Sequence, residues 1–256
     1  MDFPLDHTSP IPLFVQIRMK LLSEILNWPD PDKRFYGDHE LVERFGVSRM
    51  TIRQAIAELV EEGLIQRHSG QGTFVNKKVF VERLDPTLDI AGQYMEKGIK
   101  QRARLLQFVW RKARPEDHQR LDLEPNDEVL SIRRQRMIGT SPIAIDERFI
   151  AGSVARRAAF NKKVALGSFV ERLRNTVDLA QASWTVGAQQ AGDLYASLLL
   201  IESTAPILER RMTYATSSGD RVLSGRTVHR ADLVNYRFEL PLDGVNTPVI
   251  EHAKRI

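Results

Sequence analysis

The chain has 256 residues, 42% hydrophobic and 27% charged, with a formal net charge of +4, the composition of an ordinary soluble protein of one or two domains with room for a real core. It contains no cysteine, which excludes a disulfide framework, a thiolate metal site and a cysteine nucleophile, and its longest apolar runs, such as "ASLLLI" at 196–201, are far too short to span a bilayer. Residues 1–78 hold ten Lys/Arg against eleven Asp/Glu and residues 79–256 hold 27 against 22, so any argument for nucleic acid must rest on local placement.

The opening "MDFPLDHTSP" is acidic and broken by proline, unlike a signal peptide, and the expected location is the cytoplasm. Pro12 opens a first predicted helix with a seam of Phe14, Ile17, Leu21 and Ile25, stopped by "NWPDPD". Asp38 is the expected cap of a short second helix, "HELVERF", ending at Gly46. A third helix starts after Ser48 as N-cap and ends at Gly63, with Ile52, Ala55, Ile56, Leu59 and Val60 on one face. Its bare face carries Arg49, Met50, Arg53, Gln54 and Ala57, while Glu58, Glu61 and Glu62 wait in the last turn. The helix dipole favours the opposite charge order, so helix stability does not explain the arginines. The period then changes: "LIQRH" and "TFVN" flank "SGQG", a hairpin whose tip holds His68, Gln71 and two glycines.

An isolated basic helix face reads as solvated surface. A preceding helix, a glycine turn and a following hairpin make it the recognition helix of a winged helix-turn-helix, whose N-terminal turns enter the major groove. Residues 12–76, through "ELVERFGVSRMTIRQAIAELVEEGLIQRHSGQGTFV", resemble the winged helix-turn-helix of the GntR family of bacterial transcription regulators. The resemblance implies DNA contacts at Arg49, Thr51 and Arg53 and, on the wing, at Gly70, Gln71 and Gly72, beside the exposed Gln54. At the second helix the family usually has a "PSER"-like stretch; here "YGDHE" puts His39 where a phosphate-contacting arginine is frequent.

"NKKVFVERLDPT", residues 76–87, is the expected connector, with the linker itself assigned to 77–87. Beyond it come a strand, "RARLLQFVWRK", a short helix from Pro115, "PEDHQRL", and two strands, "EVLSIRRQRMI" and "PIAIDERFI", joined by "GTS". "PILERRMTYATSSGDRVLSGRTVH" repeats that hairpin plan, and placing Pro142 over Arg221 puts Glu147 over Arg226. Strand alternation sets Glu147 with Ile143 and Ile145, and sets Arg134 and Arg136 with Leu130, Ile132 and Ile138. Buried charges need partners, which leaves two readings: an internal Glu147–Arg134 ion pair, or a cavity for a small polar ligand. Ser168 and Glu171 form a capping box whose helix start suits a carboxylate or phosphate.

Residues 85–240 resemble the effector-binding domain of the HutC branch, clearest in "VLSIRRQRMIGTSPIAIDERFI", "APILERRMTY" and "SGRTVHRADLVNYRFEL". This resemblance implies an α+β chain: a winged helix-turn-helix at 1–76, a chorismate-lyase-like antiparallel sheet with flanking helices at 88–242, and a tail at 243–256. It also implies effector contacts at Arg134, Arg136, Glu147, Ser168, Arg226 and Tyr236. The segment 151–166 departs from the usual "LP"-containing loop, and the tail has no counterpart. Scattered histidines and the absence of HExxH, P-loop and GxGxxG patterns argue against an enzyme, a metal site or a cofactor. The expectation is a homodimeric regulator, a repressor, of double-stranded operator DNA, modulated by a small effector such as a carboxylate or phosphate.

Overall fold

The computed structural model describes residues 5–26, 28–30, 32–76, 82–83, 101–234 and 236–237. Most of the expected linker and the whole C-terminal tail lie outside the described residues.

The first unit runs α1 (Leu13–Leu26), β1 (Arg34–Phe35), α2 (Asp38–Phe45), α3 (Arg49–Glu61), β2 (Ile65–His68) and β3 (Gly72–Val75). Its core joins Ile17, Leu21 and Ile25 of α1 to Leu41, Ile52, Ile56 and Leu59. Ser48 caps α3 by accepting the Thr51 N–H at 3.2 Å, and Gly63 takes the left-handed φ of 73° that ends it. Two expectations need correcting. Val60 is 37% exposed, because eight residues of helix carry it about 80° from Ile52, to the margin of the stripe. Asp38 is the first residue of α2 and not its cap: Gly37 occupies that place, and the Glu40 carboxylate accepts the Gly37 N–H. Asp38 instead pairs with Arg67 of β2. The wing is three-stranded, order β1-β3-β2, and β1 had no signal beyond two residues, "RF".

The second unit is a six-stranded antiparallel sheet, order β5-β6-β7-β10-β9-β8. Its elements are β5 (Gln101–Lys112), α4 (Pro115–Leu121), β6 (Glu128–Ile138), β7 (Ser141–Ala151), α5 (Gly152–Arg157), a 3-10 turn (Val164–Leu166), α6 (Phe169–Arg174), β8 (Leu179–Gln190), α7 (Gly192–Leu199), β9 (Pro206–Thr216) and β10 (Arg221–Arg230). A small parallel pair joins β4 (Glu82–Arg83) to β11 (Tyr236–Arg237). The two hairpins read as copies, β6-β7 and β9-β10, lie side by side through β7 and β10. One sheet face packs Leu130, Ile132, Ile150 and Met212 on Phe169 and Leu173, and the other packs Ile145 and Val228 on Tyr195, Ala196 and Leu199.

The units meet where the β6-β7 turn enters the first core: Ile138, Ile143 and Ala144 belong to the same apolar cluster as Ile17 and Ile52. Arg18 of α1, fully buried, donates to the Ile138 carbonyl at 2.8 Å and to the Ser141 hydroxyl, and pairs with Glu62 and, at 3.2 Å, with Glu58. Gly139, in the turn, has φ 54°, and a Cβ there would lie 1.5 Å from the Glu62 carboxylate. Glycine meets both the left-handed φ and the close approach without strain.

Candidate nucleic-acid interface and buried arginine cluster

The bare face of α3 stands as its period requires: Arg49, Arg53, Gln54 and Ala57 are exposed, and Met50 is 71% exposed. Thr51 is half-buried, its hydroxyl 2.8 Å from that of Ser48. His39 is exposed on α2, with Glu43 one turn away at 3.6 Å. The wing tip turns on Gly70 and Gly72, with φ of 74° and 114°. Arg34 of β1 packs against that tip: a Cβ on Gly72 would come within 2.6 Å of the Arg34 guanidinium. The strand "RF" is too short for its pairing with β3 to be read from pattern, which is why Arg34 escaped notice.

The structure splits the expected effector residues between the two sheet faces. Register places Arg134 opposite Asp146 and Arg133 opposite Glu147, so the Glu147–Arg134 ion pair does not form; the residues project to opposite sides. On the α6 face, Asp146 Oδ2 accepts Arg134 Nε at 2.7 Å and Arg136 Nε at 2.6 Å, and Oδ1 accepts Arg148 Nη2 at 3.1 Å and the Thr227 hydroxyl at 2.8 Å. Arg134 also donates to the carbonyls of Ala165 and Gly167 at 3.0 and 2.5 Å, and its guanidinium lies 4.3 Å from the Phe169 ring centre. That ties the loop before Ser168 down onto the hairpin. Ser168 caps α6 by accepting the Glu171 N–H at 3.2 Å. The helix is six residues long, Phe169–Arg174.

Burial opposes charge on Asp146, but Arg136, Arg148 and Arg134 outweigh it and hold the carboxyl well below its ordinary range. Burial brings the Arg148 guanidinium down to about 10, against the attraction of Asp146 and helped by Arg134, Arg136 and Arg210. It stays charged at neutral pH. His229, also buried, is driven well below the usual imidazole range by burial and then by Arg210 and Arg136. Asp146, Arg148 and Arg210 escaped the sequence reading; alternation from Arg134 and a choice of register would have pointed to Asp146.

On the α7 face, Glu147 and Arg226 do meet, at 2.7 Å, within a chain of ion pairs. Arg133 reaches Glu147 at 2.8 Å, Arg226 reaches Glu209 at 3.0 Å, and Glu209 meets Arg211. Burial raises Glu147 and the guanidiniums of Arg226 and Arg133 more than offset it, leaving its carboxyl below the ordinary value. The Tyr195 hydroxyl is pushed up to about 12 by burial and then by the Glu147 charge. Tyr236 pairs with Glu82 in the β4-β11 ladder.

Comparison with known proteins fits both regions. The family described as bacterial regulatory proteins, gntR family, matches residues 38–75, and the UTRA domain matches residues 96–235. The chain is 28% identical over 227 residues to the HTH-type transcriptional repressor NagR of Bacillus subtilis, covering 88% of this chain and 93% of that one. It is 28% identical over 226 residues to a histidine utilization repressor of Pseudomonas aeruginosa, covering 86% and 88%. Among solved structures, PhnF from Mycobacterium smegmatis matches with a TM-score of 0.59 at 17% identity, over 89% of this chain and all of that one. No helix among the described residues is long and apolar enough to cross a membrane.

Proposed function

Because the chain belongs to the gntR family of bacterial regulatory proteins, in the branch that carries a UTRA domain, we propose that it is a homodimeric repressor released from, or secured on, its operator by a small anion. It is a DNA-binding transcription regulator with an effector-binding domain. We assign the DNA-binding unit to residues 1–76 and the effector unit to 88–242, acting in the cytoplasm. Arg49, Arg53 and Gln54 enter the major groove, while Gly70, Gln71, Gly72 and Arg34 on the wing, and His39 on α2, meet the backbone. Two such units on a dimer read half-sites about one helical turn apart.

One observation carries the effector reading. On the α6 face a single carboxylate, Asp146, is shared by three buried guanidiniums, of Arg134, Arg136 and Arg148. Such a cluster favours a carboxylate or phosphate over a cation or a neutral ligand. Ser168 stands beside the loop that Arg134 secures. The ion pairs of Glu147 and Arg226 on the other face support the sheet, and these two leave the ligand set. Titration of phosphate- and carboxylate-bearing metabolites against protein bound to promoter DNA tests the proposal. One such compound should raise the melting temperature and change operator affinity by about 5–150-fold. A compound that stabilises the protein and leaves operator affinity unchanged would overturn the coupling.

A further inference from the structure

The outward side of α3 is not uniformly polar. Among the large apolar side chains exposed in the described residues, Met50 stands out at 71%, ahead of Leu194 at 51%. A single apolar side chain on a surface needs no explanation. This one is the second residue of the helix, in the turn that leads into a groove, with Arg49, Arg53 and Gln54 exposed around it.

Its direction matters more than its exposure. The core side of α3 is Ile52, Ala55, Ile56 and Leu59. At about 100° per residue, Met50 points roughly 170° from the middle of that stripe, Gln54 and Ala57 roughly 150°, Arg53 roughly 110° and Arg49 roughly 70°. Met50, Gln54 and Ala57 therefore form the crest of the helix, and the arginines rise from its flank on long stems. Ala57, two turns along the crest, adds only a methyl group. The side chain set furthest from the core, in the turns that meet base edges, is thus an apolar one. Methionine offers no donor and only a weak thioether acceptor. Of the groups that the four bases present in the major groove, the thymine C5 methyl is the apolar one.

From this placement we infer that Met50 is a specificity residue: it packs on the C5 methyl of a thymine in each half-site, beside the base pair that Arg53 reaches. The inference rests on α3 being the groove-entering helix and names one letter of the operator that the helix selects. Both partners leave water in the contact, and one buried methyl group is worth about fourfold in affinity. The unbranched, polarisable thioether can follow the methyl without a fixed hydrogen-bond geometry. A cytosine at the same place would turn its N4 amino donor toward a side chain with almost nothing to accept it, so the wrong base loses more than the methyl.

The test uses the full chain and an operator selected by it from random duplex DNA. Each thymine of that operator is replaced in turn by deoxyuridine, which keeps the hydrogen-bonding groups of thymine and lacks only its methyl. Replacement at one position per half-site should weaken the parent about fourfold, and about 16-fold when both half-sites carry it. Met50→Gln keeps the side-chain length and the helix propensity, and at so exposed a site its melting temperature should match the parent's. This variant should bind the thymine and deoxyuridine duplexes equally at that position, while any other methyl-sensitive positions stay as they are in the parent. A scan in which no deoxyuridine weakens the parent, or in which Met50→Gln keeps every sensitivity of the parent, overturns the Met50 contact and leaves the recognition helix standing. A parent that selects no sequence at all overturns the reading of α3 itself.

Discussion

Arg18 of α1 donates to the carbonyl of Ile138, 120 residues further along the chain, at 2.8 Å. The contact fastens the DNA-binding unit to the turn of the hairpin that carries Arg134, Arg136 and Asp146. Burial raises the Glu62 carboxyl, and Arg18 works against that rise, so the pair depends on its partner. Removing one member of a buried ion pair costs about 3–5 kcal/mol, while replacing both by apolar side chains is often neutral. Arg18→Ala should therefore lower the unfolding midpoint sharply in urea titrations, and Arg18→Met with Glu62→Leu should recover most of the loss. Full stability in Arg18→Ala would mean the junction contributes nothing.

Arg53→Ala tests the groove assignment. If Arg53 reads a base edge, its loss should cost about 1–3 kcal/mol and relax preference at one operator position. Arg34→Ala should weaken all sequences alike and reduce the salt slope by about one. Binding assays on a panel of single-base operator variants at two salt concentrations separate the two outcomes. Uniform weakening by Arg53→Ala would move that residue to the phosphates.

Asp146→Asn should be costly, because three guanidiniums lose the charge that holds them; about 3–5 kcal/mol is expected. Its folded carboxyl lies well below the ordinary 3.8. The stability it contributes is therefore present above that value and fades as pH falls through the folded value. The variant should show a flatter acid arm in urea unfolding between pH 5 and the acid limit. Inorganic phosphate should raise its melting temperature more than that of the parent, since the cluster then lacks its own anion. An acid arm identical to the parent's would refute the assignment.

His229 gives the complementary pH test nearer neutrality. Its imidazole is held neutral, well below the ordinary 6.5, so the unfolded chain binds a proton that the folded chain refuses. Stability should fall as pH drops below 6.5, by about 1.4 kcal/mol per unit from this residue while the folded site stays neutral. His229→Asn should remove that slope, as measured by denaturant titrations at pH 7, 6 and 5.

What was readable from the chain follows interaction range. The period of α3, its cap at Ser48 and its stop at Gly63 are set within a few residues, and all three stand. The parity of β6 and β7 was also legible, which is why charge on their faces drew notice. The partners were not: alternation tells which residues share a face within one strand, and only register decides whether Arg134 meets Asp146 or Glu147. β8 and α7 went unread. The junction at Arg18 joins positions more than a hundred residues apart, beyond any local signal.

The β6-β7 ladder breaks step between Arg136 and Met137, one residue before Ile138 enters the DNA-binding unit. A break in register bends a strand, so the ladder that carries Arg136 and the turn that grips Arg18 change direction relative to one another at this point. If the proposed anion sits on Arg136, Met137 is the residue that joins it to the turn held by Arg18, and a substitution there would change the response to metabolite without touching the surface that reads DNA.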